Sequence, residues 1–226
     1  MHNCLYYSLL SGPAPGAGLK TYVPAAHESM PAIDFLIAGL GNPGSRYVRT
    51  RHNIGFMTVE YLVRHAQGGV QSLPCGRSQS RCWLWSGPDD KQSLLAEPQT
   101  YMNLSGKALR SLCRAYNVQA DQVVVIHDEL DLSLGRVRLK FGGGLAGHNG
   151  LKSIAQELGT RDFYRVRMGI GRPEPGTEVT RHVLSSFFPW EQDQLSNALT
   201  RAAEGIRLLC TQGMQSSMNY VHADQD

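Results

Sequence analysis

Four loci in this chain carry side chains able to do chemistry together. They are Asn42, Arg51-His52-Asn53, Tyr101-Met102-Asn103, and His127-Asp128-Glu129 with His148-Asn149-Gly150 further on. A histidine can take a proton from water because its free pKa lies near neutrality. An aspartate bonded to its other ring nitrogen fixes tautomer and orientation, and stabilises the imidazolium that forms. Neutral asparagine amides donate hydrogen bonds to a developing oxyanion without quenching the base. One His, one Asp and several amides are thus a kit for cleaving an ester with water. No G-x-S-x-G elbow occurs, so direct attack by water is preferred to an acyl-enzyme.

Each locus also has a plainer reading. Asn53, Asn103 and Asn149 each stand just before a helix and suit an N-cap, and Asn42 before Pro43 suits a turn. The run His127-Asp128-Glu129 could suggest a metal. However, neighbouring strand side chains point to opposite faces and no His/Cys cluster completes a shell, so no metal is expected.

The loci fall where strands hand over to loops or helices, which is where open α/β sheets place their sites. Phe35-Leu36-Ile37-Ala38 reads as a buried strand, and Val123–Ile126 is the most strand-like run. Arg81–Trp85 and Ser93–Ala96 are two further strands. Arg136–Phe141 and Tyr164–Ile170 alternate apolar and basic side chains. Helical spacing appears from Ile54 to Leu62, Leu104 to Tyr116, Gly150 to Leu158 and Trp190 to Leu209. Strands interleaved with helices predict one α/β domain on a mixed sheet.

Gly39-Leu40-Gly41-Asn42-Pro43-Gly44 matches the G-x-G-x-x-G dinucleotide fingerprint, which would suggest a nucleotide-dependent oxidoreductase. That fingerprint needs a helix opening within the glycines, whereas Pro43 removes a donor and residues 45–51 carry no apolar stripe. Glu60, at the distance of the ribose-binding acid, falls inside a helix instead of ending a second strand. The loop is glycine-rich for another reason.

The 226 residues are 42% hydrophobic and 18% charged, which supports a sizeable core and excludes wholesale disorder. A net charge of +3 hides an uneven distribution. From Ser133 to His182 there are nine Lys/Arg against four acids, concentrated on the two alternating strands. A basic face of that kind suits a phosphate backbone, although Lys and Arg on a solvated sheet also discourage edge pairing.

Taken in order, Ile37–Gly44 with Tyr47, Thr50–Asn53, Pro98–Gly106, His127–Leu132, Gly142–Gly144, Gly147–Leu151 and Arg167–Gly171 resemble the bacterial-type peptidyl-tRNA hydrolases. The resemblance covers about Asp34 to Met218. It implies a single-domain, phosphorylase/hydrolase-like α/β fold with flanking helices, monomeric and without metal or cofactor. The implied reaction is hydrolysis of the ester between a peptide and the terminal ribose of tRNA, recycling tRNA after aborted translation. By position, His52 matches the catalytic base and Asp128 its orienting partner. Asn42 and Asn103 match the amides nearest the ester, and Asn149 one that holds the ribose or water. Tyr47 and Met102 would line the cleft, and Lys140 and Arg167 match a clamp on an acceptor-end phosphate. Phosphate contacts do not read sequence, so tolerance of tRNA identity is expected. The chain departs from the pattern at Leu145-Ala146, where many members have His-Gly, and at Glu97, where a basic or apolar residue is common. A relative that binds RNA without turnover is the competing expectation.

Residues 1–30 read as a disordered extension, with the domain spanning 31–226 and Met30 a possible start. They lack the positive start of a secretory signal and the arginines of a mitochondrial presequence. The five scattered cysteines contain no C-x-x-C and read as reduced, cytosolic thiols. No run of about 18 apolar residues suggests a membrane span, and the cytoplasm is the expected location.

Overall fold

The computed structural model describes residues 19–22, 31–87 and 91–223. In chain order the elements are β1 (Phe35–Gly39), α1 (Ile54–His65), β2 (Gly69–Leu73), β3 (Ser80–Ser86), β4 (Gln92–Pro98), α2 (Ser105–Tyr116) and β5 (Val123–Glu129). There follow β6 (Val137–Phe141), α3 (Asn149–Leu158), β7 (Tyr164–Gly169), α4 (Val179–Val183), α5 (Gln192–Gln212) and α6 (Met214–His222). The strands form one seven-stranded sheet in the order β2-β3-β4-β1-β5-β7-β6. Its centre, β4-β1-β5-β7, is parallel, and β2, β3 and β6 add antiparallel margins. The expected single α/β domain with a mixed sheet and flanking helices is what the chain forms.

Burial of the central strands follows from their composition. β5 is buried at every residue, with Val124 and Ile126 facing one layer and Val123 and Val125 the other. One layer takes α1, α5 and α6, and Leu195, Leu199, Ala202, Ile206 and Leu209 of α5 are buried in it as the stripe requires. The other layer takes α2 and α3 through Leu109, Leu112, Leu151 and Ile154. Three elements escaped the pattern reading: the polar edge strand β2 and the short helices α4 and α6.

Two glycines let α1 start directly against the sheet. A Cβ on Gly55 would fall 2.3 Å from the Leu40 backbone nitrogen and 2.5 Å from the Ile126 carbonyl oxygen. One on Gly39 would fall 2.2 Å from the Gly55 carbonyl oxygen. The glycine-rich loop therefore serves close packing. No helix opens in it, because the chain runs on to a 3₁₀ turn at Arg51–Asn53 before α1 begins. At Gly41, a Cβ would strike the Phe56 ring at 2.7 Å. The dinucleotide reading has no structural footing.

Within the stretch read as an extension, Leu19–Tyr22 runs beside β2. Ser72 donates to the Lys20 carbonyl at 3.0 Å and accepts from the Tyr22 amide at 2.8 Å. Residues 1–18 and 23–30, on which the rest of that expectation falls, lie outside the described residues.

The cysteine reading needs correction. Cys75 and Cys82 are joined as a disulfide, with Cα atoms 6.0 Å apart. The β2–β3 register sets Leu73 opposite Cys82, and the corner that follows brings Cys75 back beside it. Cys113 and Cys210 are free and buried, and burial pushes their thiols up to about 11 and about 12. Cys4 lies outside the described residues. No helix among the described residues is long and apolar enough to cross a membrane.

Glu97 on β4 is fully buried, and neither carboxylate oxygen receives a hydrogen bond from the described residues. Arg81 Nη1 lies 3.2 Å away and also faces Glu60 at 4.0 Å. Burial outweighs Arg81 and raises the Glu97 pKa from 4.5 to about 8. Between those pH values the unfolded chain binds fewer protons than the folded one, so this group's contribution to stability falls as pH rises. Glu97→Gln should remove that slope. Urea unfolding from pH 5 to 8 should show the variant gaining on the parent toward pH 8; parallel curves would mean Glu97 is ionised in the fold.

Candidate active site

The predicted polar residues meet at the carboxyl ends of β4, β1 and β5, three neighbouring parallel strands. There they line a cleft of about 650 Å³. Asn42, His52, Met102, Asn103, Asp128 and Asn149 all face it, together with Glu129, His148 and the apolar side of α4.

Asp128 closes β5 and is buried. Its Oδ1 lies 2.8 Å from His52 Nδ1 and 2.9 Å from His148 Nε2. The second contact fixes a tautomer. His148 Nδ1 accepts the amides of Gly150 (3.1 Å) and Leu151 (3.3 Å) as the N-cap of α3, so its proton must sit on Nε2. His52 likewise turns Nδ1 to the carboxylate, and its ring lines the cleft. Burial alone would raise the Asp128 pKa. His148, and after it His52, outweigh burial and hold the carboxyl well below the ordinary range. His127 lies beneath the site and bonds the Asp128 carbonyl oxygen through Nδ1 at 2.7 Å. Burial, then the nearby His148, lowers its pKa to about 3, so it is neutral.

Three ligand-type atoms, from His52, Asp128 and His148, lie within 4.8 Å of one another. A divalent cation there would have to break both imidazole–carboxylate hydrogen bonds, because the donor atoms already engage each other.

The asparagines do not cap helices. Among the described contacts, Asn53 makes no cap bond; its amide pairs with the backbone of Asn42, accepting N–H at 2.9 Å and donating to C=O at 3.0 Å. The loop after β1 is thereby tied to the start of α1. Asn42 Oδ1 in turn accepts the Met102 amide at 2.9 Å, which ties the loop after β4 to the same point. The Asn42 NH₂ engages none of the described residues and is left as a donor in the cleft wall. Leu104 and His148, in place of Asn103 and Asn149, hold the cap positions of α2 and α3. Asn103 and Asn149 are exposed to the cleft.

A long-range clamp sets the height of His52. Arg51 is buried and donates to both carboxylate oxygens of Glu191, at 3.0 and 2.8 Å. Its backbone amide bonds the Ser185 carbonyl at 2.9 Å, and Thr50 bridges Ser186. The guanidinium lies 4.8 Å over the Phe187 ring.

The sequence profile described as peptidyl-tRNA hydrolase matches residues 36–226. The chain belongs to the peptidyl-tRNA hydrolase family. It is 43% identical over 192 residues to the peptidyl-tRNA hydrolase of Mycobacterium sp. strain KMS, covering 85% of this chain and 98% of that one. It is 46% identical over 196 residues to that of Nitratidesulfovibrio vulgaris strain DP4, covering 84% and 98%. The crystal structure of the Acinetobacter baumannii peptidyl-tRNA hydrolase superposes with a TM-score of 0.77 at 35% identity, covering 87% of this chain and 98% of that one.

Three of the expected residues, Tyr47, Lys140 and Arg167, stand outside the lining of this peptidyl-tRNA hydrolase-family cleft. Tyr47 sits in the preceding turn with the Arg46 guanidinium 4.5 Å over its ring. Lys140 is exposed at the end of β6, and Arg167 on β7 donates from Nε to Glu129 at 2.9 Å. His148 was legible in the sequence only as the start of a helix; its bond to Asp128 was not. Asn53, whose position before a helix suits a cap, is instead the partner of the Asn42 backbone. Asn53→Ala leaves the Asn42 amide without its acceptor. Hydrogen exchange at Asn42 should accelerate at least about tenfold, with a stability loss of roughly 2–4 kcal/mol in urea unfolding. Unchanged protection would mean that something else holds the loop.

Proposed function

We propose that this chain hydrolyses the ester between a peptide and the terminal ribose of tRNA, using water activated at His52. The observation that carries this reading is the 2.8 Å contact between His52 Nδ1 and Asp128 Oδ1, which leaves Nε2 as an unprotonated base facing the cleft. Water gives a proton to Nε2 as its oxygen attacks the ester carbonyl carbon. Asp128, ionised and buried, stabilises the imidazolium. The oxyanion lies against the amides of Asn42 and Asn103, and that of Asn42 needs no reorganisation because it is already held by Asn53 and Met102. When the carbon–oxygen bond to ribose breaks, the imidazolium returns its proton to the leaving oxygen. Asn149 holds the ribose or the water, and Met102 with α4 contacts the peptide end.

The tRNA is held outside the cleft. Lys140 and Arg167 lie in the most basic part of the chain, where they suit a phosphate of the acceptor end. Such contacts are blind to base identity, so the protein serves tRNAs generally. It acts as a monomer in the cytoplasm, without a cofactor, on peptidyl-tRNA released by aborted translation.

Incubation with labelled peptidyl-tRNA and no cofactor should release free peptide and intact tRNA. Binding without release would favour the non-catalytic RNA-binding reading. His52→Ala should cost roughly 10²–10⁴-fold in turnover while tRNA affinity is nearly kept. Asp128→Asn should be comparably severe, because it can hold the wrong tautomer. Near-parental turnover in His52→Ala would refute the general base.

Lys140→Ala and Arg167→Ala should instead weaken binding. Each should flatten the dependence of log Kd on log salt by about one unit in filter binding. An unchanged slope would remove that residue from the phosphate contact.

A further inference from the structure

Arg165 is a buried cation that the catalytic scheme does not use. It stands on β7, where alternation with Val166 and Met168 predicts a solvated basic side chain, yet it is only 2% exposed. It makes no salt bridge among the described residues. Its nearest charges are dominated by like sign, from Arg161 and Arg167, against the acid Asp162. Burying a guanidinium in this way is costly unless its donors are well used.

Both terminal nitrogens are used, two of their three bonds on one loop, while Nε finds no partner among the described residues. Nη1 donates to the Gly144 carbonyl, and Nη2 to the carbonyls of Gly143 (3.0 Å) and Arg161 (3.2 Å). The guanidinium lies 4.8 Å over the Phe163 ring, which forms the floor beneath it. The segment it grips runs from Gly142 to Gly147 and joins β6 to α3. Otherwise Leu145, packed against the core, is its main side-chain anchor. Gly142, Gly143, Ala146 and Gly147 adopt φ of 63°, 94°, 45° and 75°, and Ala146 is strained there because it carries a Cβ. Two further backbone hydrogen bonds secure it, Gly142 to Phe163 and His148 to Leu145.

Both ends of this segment matter to the site. At one end is Lys140, whose ammonium lies across Gly143; a Cβ there would fall 2.7 Å from Nζ. At the other end are His148, bonded to Asp128, and Asn149 in the cleft. Ala146 and Gly147 form part of the cleft wall. We infer that Arg165 is a positioning residue: it holds the glycine loop from below and so sets, together, the place of Lys140 for tRNA and of His148 and Asn149 for chemistry. This role rests on the hydrolase reading above for its functional consequence, although the loop contact stands apart from it.

The test uses the full chain with Arg165→Met, which keeps the length and removes the donors. Hydrogen exchange should accelerate at least about tenfold across Gly143–Gly147 while the amides of β1 and β5 keep their protection. Turnover of peptidyl-tRNA should fall by about tenfold or more through displaced cleft residues. A double-mutant cycle with Lys140→Ala separates positioning from general destabilisation. If Arg165 places Lys140, then Lys140→Ala raises KM in the parent but changes it little in Arg165→Met. Additive effects on KM together with parental loop protection would overturn the proposal. Arg165→Lys offers a single cationic centre in place of the fork and should fall between parent and Met variant in both readouts. If Arg165→Met does not fold, the same cycle on Arg165→Lys decides: coupling with a loosened loop supports the role, and additivity with a parental loop refutes it. A parent that releases no peptide would sink the hydrolase reading, while loop exchange would still test the grip of Arg165.

Discussion

One buried carboxylate organises this molecule's chemistry. Asp128 Oδ1 receives two imidazoles at hydrogen-bond distance, and neither histidine could be oriented as it is without the negative charge between them. His148 is fixed from its far side by two helix amides, so its proton is committed to Asp128. The aspartate therefore stays ionised despite burial, and the remaining freedom in the cluster belongs to His52 Nε2. A charge that is expensive to bury has been placed near the end of a fully buried strand, where its hydrogen bonds offset the cost.

The rest of the fold serves that placement. His52 must descend from the start of α1 to the end of β5, and this requires helix and sheet to approach more closely than side chains allow. Gly39 and Gly55 provide the approach, and Asn53 locks the intervening loop by pairing with the backbone of Asn42. Asn42 then reaches across to the Met102 amide, so the loops after β1 and β4 share one hydrogen-bonded frame. A short polar frame of this kind is stiffer than the same residues would be as separate caps.

Much of this was legible in the residues and part of it was not. β5 announced itself by its unbroken β-branched run Val123–Ile126 and β1 by its short apolar run, and the stripe of α5 announced itself by period. β2 did not, because Gly69-Val70-Gln71-Ser72-Leu73 at a sheet margin has little to bury. The cleft's His, Asp and Asn were visible as types at strand ends. Their partners were hidden, since pairing depends on tertiary distance: Asn53 and a true cap look alike in one dimension, as do Arg165 and a surface arginine. Cys75 and Cys82 were likewise brought together by hairpin register and not by any spacing motif.

The Arg51–Glu191 clamp has a consequence for the order in which this site is assembled. The base at position 52 is held by residues 185–191, on the far side of nearly the whole sheet in sequence. Contacts of such separation close late, after the local pairings that bring their ends together have formed. A chain still emerging during synthesis can build β1 and α1 early, yet its histidine gains its buttress only when the segment before α5 arrives. The site is completed from the C-terminal side, because the buttress of its histidine comes from residues that follow all seven strands in sequence.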